Sequence, residues 1–304
     1  MKVSVLICTY KRKKLLDRCL QSLIADSIDK PDEIVIVDGE EGSAKDIVSK
    51  WQKQFADIKF ISTKNVNLAV SRNIGLPHCM TEIVALTDDD VQVAPDWVRR
   101  IRALHKEHPE AGGIGGKISG VTDRFIDRVA NIVIFFSRGN SAYVRTVPGV
   151  NASYKREIIE KVGSYDESLF RGEDVDYNWR ILKLGSKIYY DPRLCVCHYH
   201  RSTWKGLFSQ LFMYGRAYYL VRSKWKDMYC VYPHTIRHFK DILKLGYFFF
   251  GCLFEAVFCT RGISGFSKKA MLFPFLIICQ FVWKLGMITE VVKQKFFQGK
   301  LLRK

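Results

Sequence analysis

No glycine stands in Thr9–Lys14, the polar stretch after the first apolar string. That absence removes a glycine-rich loop whose backbone could wrap a phosphate. A disulfide framework is missing as well. The nine cysteines, at 8, 19, 79, 195, 197, 230, 252, 259 and 279, are scattered through apolar strings, which points to buried free thiols in a reducing compartment. Cys195-Val196-Cys197-His198 with His200 has the residue types of a zinc site, but no second paired cluster completes one. The apolar run in Met1–Tyr10 is too short for a secretory segment, and Lys11-Arg12-Lys13-Lys14 follows at once. A cytoplasmic location is therefore expected. Acidic residues are scarce in the last third. From Tyr199 to Lys304, 18 Lys and Arg face only Asp227, Asp241, Glu255 and Glu290, so +14 of the net charge of +17 lies there.

With 304 residues, 48% of them hydrophobic, the chain can bury a sizeable core, and its length predicts about two domains. The first half alternates short apolar strings with amphipathic stretches, the pattern of an α/β chain around a mainly parallel sheet. Strands are predicted at Val3–Cys8, Glu33–Val37, Ile58–Ser62, Glu82–Leu86 and near Gly113–Ile118, and helices at Lys14–Ala25, Ala44–Phe55, Leu68–His78 and Pro95–His108. Each of the first four strands ends in polar residues: Thr9-Tyr10, Asp38-Gly39, Asn65 and Asp88-Asp89-Asp90. Ligands of open α/β sheets bind at the carboxyl ends of the strands. Further on, the pattern predicts a helix at Lys155–Val162, another from Gly172-Glu173-Asp174-Val175-Asp176 to Leu184, a strand at Lys187–Tyr190 and an extended stretch at Leu194–His198.

Beyond His200 the character changes. Trp204–Trp225 mixes aromatic residues with Lys205, Arg216, Arg222 and Lys224, and two apolar segments follow at Leu245–Thr260 and Ala270–Val292. Basic charge interleaved with apolar runs fits an anionic lipid surface; nucleic acid would explain the charge but not the apolar runs. The Arg261–Lys269 connection is basic, as are the outer flanks. A two-pass hairpin would carry that loop across the membrane against the positive-inside tendency, so a monotopic or re-entrant hairpin on the cytoplasmic face is favoured.

The acidic triplet carries the chemistry. Hard cations such as Mg²⁺ and Mn²⁺ prefer oxygen ligands and often bridge one or two carboxylates to substrate phosphates. Asp88-Asp89-Asp90 at the end of an apolar strand can serve such an ion. Val5-Leu6-Ile7-Cys8-Thr9-Tyr10-Lys11-Arg12, Ile34-Val35-Ile36-Val37-Asp38-Gly39, Asn65–Gly75, Thr87–Val91 and Gly172–Asp176 together resemble glycosyltransferase family 2. The resemblance covers about residues 1–200. It implies a GT-A fold with a Rossmann-like mixed sheet, a nucleotide-sugar donor, a divalent metal and inversion at the anomeric carbon. It divides the chain into a catalytic domain at 1–200, with a nucleotide-sugar half at 1–120 and an acceptor half at 121–200, and a helical membrane-associating region at 201–304.

Carried over by residue, the resemblance puts Thr9, Tyr10 and Arg12 in the loop around the nucleotide, Asp38 on the base or ribose, and Arg72 near the diphosphate. Asp88 and Asp90 match the outer carboxylates of the metal motif, with Asp89 between them on the donor side. Some relatives complete the metal site with a His after the next strand, and His198 stands in a suitable place for it, with His200 the neighbouring candidate. Asp174 matches the catalytic base; Glu173 competes for that role, and both Glu173 and Asn151 fall on the acceptor side. There is no Gln-x-x-Arg-Trp motif, which favours one sugar per event, and Asp38-Gly39-Glu40 lacks the more usual second Asp and Ser. The expected activity is transfer to a lipid-linked or cell-envelope glycan acceptor. The alternatives are an inactive GT-A module that binds or assembles at the membrane and, disfavoured by the missing glycine loop, a sugar nucleotidyltransferase.

Overall fold

A computed structural model describes residues 1–64, 66–135, 139–228, 240–261 and 263–301. Asn65 and Cys230, named above, lie outside the described residues. The four apolar strings become β1 (Val3–Thr9), β2 (Glu33–Asp38), β3 (Ile58–Ser62) and β4 (Ile83–Asp88), parallel in the order β3-β2-β1-β4. They are joined through α1 (Lys13–Ile24), α2 (Lys45–Gln52) and α3 (Leu68–Gly75). The chain leaves β1 towards β2 and β3, then returns to β4 on the other side of β1. The carboxyl ends of β1 and β4 therefore flank a topological switch point, the usual ligand crevice of an open α/β sheet. Thr9 closes β1 and Asp88 closes β4, with Cys8 paired to Asp88 across the strands.

The sheet continues through β5 (Val91–Val93), α4 (Trp97–Glu107), β6 (Ala111–Gly120), α5 (Phe125–Ile134), β7 (Ala142–Val144), β8 (Asn151–Lys155), α6 (Arg156–Val162), α7 (Glu173–Lys183) and β9 (Lys187–His198). Its full order is β3-β2-β1-β4-β8-β6-β9-β5, with β7 on β9, and β8 runs antiparallel to both neighbours. The predicted strand and extended stretch near the end of this block form one strand of 12 residues. Its pairing with β6 slips between Gly116 and Lys117, where Pro192 could not donate to the ladder. Buried Leu6, Val35, Val37 and Leu86 from the sheet pack with Tyr154, Tyr177 and Ile181 in one core. Burying each such aliphatic side chain contributes roughly 1.5–3 kcal/mol.

The described elements fall into two compact units. One holds all nine strands with α1–α4, α6 and α7. The other holds α5, α8 (Trp204–Lys224), α9 (Lys240–Cys259) and α10 (Phe266–Leu301). No helix is predicted at α5, and its allegiance interrupts the stretch that the sequence assigns to the acceptor half. Within the second unit, α8 and α10 touch backbone to backbone. A Cβ on Gly215 would lie 1.8 Å from the Trp283 carbonyl oxygen, and one on Gly286 2.0 Å from that of Phe212.

Polar pairs lock this second unit from inside. Arg216 Nε lies 2.8 Å from Glu290 Oε2, and fully buried Lys284 donates from Nζ to the Phe248 carbonyl at 2.6 Å and lies 3.0 Å from Glu255 Oε1. An apolar core around Leu211, Ala256 and Leu276 lies beside them, and further apolar residues are exposed. Phe250, Leu253, Phe254, Val257 and Phe258 recur at helical spacing on one exposed face of α9, and Met271, Ile278, Phe281, Leu285 and Val292 do so on α10. By length and composition, Phe266–Lys295 is long and apolar enough to cross a membrane. If the glycine contacts set the helix spacing, Gly286→Leu should destabilise the chain by about 1–3 kcal/mol. A urea unfolding midpoint equal to that of the unaltered protein would show that α8 and α10 do not meet there.

Candidate functional site

Asp89 pins the loop after β1. Its carboxylate is buried, accepts from Thr9 Oγ1 at 2.8 Å and accepts from Arg12 Nη1 at 3.0 Å. The same Arg12 nitrogen donates to Asp90 Oδ2 at 2.5 Å. Burial pushes the Asp89 carboxyl up to about 6, against the pull of Arg12 and the Thr9 hydrogen bond. Thr9 and Asp89, both expected around the donor, thus face each other inside the protein, and the loop turns over them. Lys11 takes a positive φ of 57° at that turn.

Tyr10 is exposed and, with Lys11, Gly39, Glu40, Glu41 and Lys64, lines a cleft of about 320 Å³ at the ends of β1, β2 and β3. Lys11 Nζ lies 3.6 Å from Glu40 Oε1. Apart from Tyr10, none of these residues was assigned a role from the sequence; the unusual φ at Lys11 cannot be read from its residue type. Asp38, expected on the base or ribose, is fully buried. It accepts from the Glu40 and Ala44 backbone N–H groups, each at 2.9 Å, and so shapes the loop beside the cleft.

A second cluster forms where α7 begins. Gly172, with a left-handed φ of 77°, precedes the helix, and the next two carboxylates diverge. Glu173 is buried with Oε1 2.8 Å from Arg72 Nη1. Asp174 stays half-buried, accepting from the Gly149 N–H at 3.0 Å and from the Val175 N–H at 2.8 Å. Arg72 is buried too, with Nη2 3.6 Å from Asp88 Oδ1. One guanidinium therefore joins the strand-end carboxylates to those of α7.

The cage around Arg72 explains residues the sequence left without a role. A Cβ on Gly149 would lie 2.6 Å from Arg72 Nη2, so only glycine leaves room for the guanidinium. The Tyr165 ring lies 5.5 Å from it, and Asn73, next to Arg72 in sequence, accepts from the Tyr165 N–H at 2.8 Å. Asn151, expected on the acceptor side, is fully buried. Its amide donates to the Lys117 and Leu194 carbonyls, and its oxygen accepts from Trp97 Nε1. It ties β8 to β6 and β9.

The residues present fit a divalent cation by their donor chemistry. Pairing of Val91 with His198 brings His198 Nε2 to 3.3 Å from Asp90 Oδ1. His200 belongs with the second unit, its ring 5.7 Å from that of Phe135. Among the described residues, no three His, Cys, Asp or Glu side chains close around one point as they stand. Arg12 on Asp90 and Arg72 beside Asp88 hold the carboxylates instead. Two carboxylates and one imidazole leave most of the ligand shell of Mn²⁺ or Mg²⁺ to substrate phosphates and water, as these ions prefer.

The sequence profile of Glycosyl transferase family 2 matches residues 4–163, more than half of the chain. The chain belongs to that family. It is 28% identical over 188 residues to the glucosyl-dolichyl phosphate glucuronosyltransferase of Haloferax volcanii, covering 57% of this chain but only 59% of the relative. It is 22% identical over 250 residues to the dolichyl N-acetyl-alpha-D-glucosaminyl phosphate 3-beta-D-2,3-diacetamido-2,3-dideoxy-beta-D-glucuronosyltransferase of Methanococcus voltae, covering 76% of this chain and 77% of the relative. The fold matches the mannosyltransferase PcManGT from Pyrobaculum calidifontis, solved with GDP-Man and Mn²⁺. The TM-score is 0.65 and the identity 16%, with 95% of this chain and 87% of that one covered. The sheet is that of the GT-A glycosyltransferases.

In this family 2 protein the Glu173 pair makes stability depend on pH. Burial raises the Glu173 carboxyl to about 7, opposed by the Arg72 charge. The folded protein thus holds this proton more tightly than the unfolded chain. Glu173 adds stability that is complete below about pH 4.5 and is lost as pH rises towards 7. Glu173→Gln should flatten the difference in unfolding free energy between about pH 5 and about pH 7.5. Parallel pH curves for the two proteins would show Glu173 ionised throughout.

Proposed function

We propose that the chain is an inverting, metal-dependent glycosyltransferase that moves a sugar from a nucleoside-diphosphate sugar to a lipid-linked or cell-envelope glycan acceptor. The observation that carries this reading is Arg72, whose two terminal nitrogens face Glu173 and Asp88. A donor-side carboxylate and an acceptor-side carboxylate pair share one rigid centre.

The roles divide as follows. Tyr10, Lys11 and the cleft at the ends of β1–β3 take the nucleoside, and Arg12 steadies the loop above the phosphates. Asp88, Asp90 and His198 would hold the cation, which supplies Lewis acidity to the departing diphosphate at a gain of several kcal/mol. Asp174, half-buried and oriented by two backbone N–H groups, takes the proton of the acceptor hydroxyl as that oxygen bonds to the anomeric carbon and the bond to the diphosphate breaks. Glu173 is too deeply engaged with Arg72 to act as the base; it positions the guanidinium. The dolichyl phosphate sugars in the names of the Haloferax and Methanococcus relatives favour a lipid-linked acceptor.

Attachment to the membrane, at its cytoplasmic face, is supported by the apolar faces that α9 and α10 expose. A hairpin lying in the interface suits the basic residues on its turn and flanks.

Single-turnover transfer with Mn²⁺ distinguishes the two carboxylates of α7. Asp174→Asn should lower the rate by roughly 10²-fold or more while donor binding stays near that of the unaltered protein. Glu173→Gln should weaken the rate less and disturb donor binding as well, because Arg72 loses its partner. Transfer by Asp174→Asn at the unaltered rate would remove Asp174 from the role of base.

A further inference from the structure

The second unit contains a cavity of about 400 Å³ that the catalytic account leaves unused. Its walls come from α5 and the residue Asp123 before it, from the turn between α9 and α10, and from the start of α10. Arg128, Asn131 and Lys268 make one side cationic and polar, while Ile132, Ile263 and Met271 make the other apolar. Phe266, 86% exposed, opens α10 beside it, and Met271 is itself half exposed. Asp123 lines the cavity too and accepts from Arg128 Nε at 2.7 Å and from its Nη2, so Arg128 and Lys268 stand there against one carboxylate. Asn131 Oδ1 is buried and accepts no hydrogen bond. Such an atom costs stability unless a donor reaches it.

We infer that this cavity seats the headgroup of an anionic membrane phospholipid, its phosphate between Arg128 and Lys268. Charge complementarity selects the phosphate. The apolar wall, continuous in chain with the exposed face of α10, selects a lipid over a soluble phosphate. Arg261 and Lys269 on the same turn add to the local positive potential. The site rests on the membrane attachment proposed above and adds to it a defined place and chemistry on the turn, where diffuse basic charge would suffice for attachment alone.

Flotation of the full chain with vesicles tests it. The vesicles are neutral phosphatidylcholine alone, the same with phosphatidylglycerol, or the same with a little polyprenyl phosphate. The unaltered protein should gain about tenfold in partitioning when phosphatidylglycerol is added, from two cationic contacts. Arg128→Gln with Lys268→Gln should abolish most of that gain, and Asn131→Asp, which places a negative charge in the cavity, should do the same. Lys293→Gln with Lys295→Gln, an equal loss of charge at exposed positions on α10 outside the cavity, should keep it. Equal loss in the two double variants, all unfolding at the same temperature, would overturn the site in favour of diffuse attraction. A gain from polyprenyl phosphate but none from phosphatidylglycerol would overturn the choice of lipid. Unaltered protein that binds neutral vesicles with no gain sinks the site alone, whereas failure to float with any vesicle sinks membrane attachment and the site together.

Discussion

Two arginines, Arg12 and Arg72, hold together an acidic edge that would otherwise repel itself. Arg12 faces Asp89 and Asp90, and Arg72 faces Asp88 and Glu173. Like-charged carboxylates crowded into a poorly solvated crevice disfavour one another, and each arginine offsets two of them. With Asp174 there are five carboxylates against two guanidinium groups. The balance left over is negative and lies at the switch point of the sheet, where a cation and a diphosphate can complete it. The rest of the first unit serves this arrangement. Gly149 makes room for Arg72, Asn73 holds Tyr165 beneath it, and Asp89 fixes the loop that carries Arg12.

The second unit solves a different problem with the same chemistry. Around an apolar core that includes Leu211, Ala256 and Leu276, its charged groups pair across helices, as Lys284 does with Glu255 and Arg216 with Glu290, while further apolar side chains of α9 and α10 are exposed. Close glycine contacts at positions 215 and 286 let α8 and α10 approach without bulky side chains between them, a device common where helices pack in lipid.

Much of this was legible in the sequence, for reasons that differ by residue. The parallel strands were readable because their apolar runs are short and end in polar residues, and Asp88 falls on the edge that the alternation of strands and helices dictates. What could not be read was direction. Within Asp88-Asp89-Asp90 the chain turns out of a strand, so neighbouring carboxylates point to different partners, and only the fold shows that Asp89 turns inward to Thr9 and Arg12. Asp38 sits in a motif position and accepts from backbone groups of its own loop, while Asn151 donates to carbonyls whose approach depends on distant segments. The strands β5 and β7, of three residues each, are too short to show a period, and α5 joins a unit from which it is separated in sequence.

Uptake of Mn²⁺ in the presence of a nucleoside diphosphate, followed through the paramagnetic signal of the free ion, reports directly on the acidic edge. The unaltered protein should take up about one ion, and Asp90→Asn should lose that uptake while a nucleoside without phosphates still binds. Undiminished uptake by Asp90→Asn would contradict the assignment of the strand-end carboxylates to the metal.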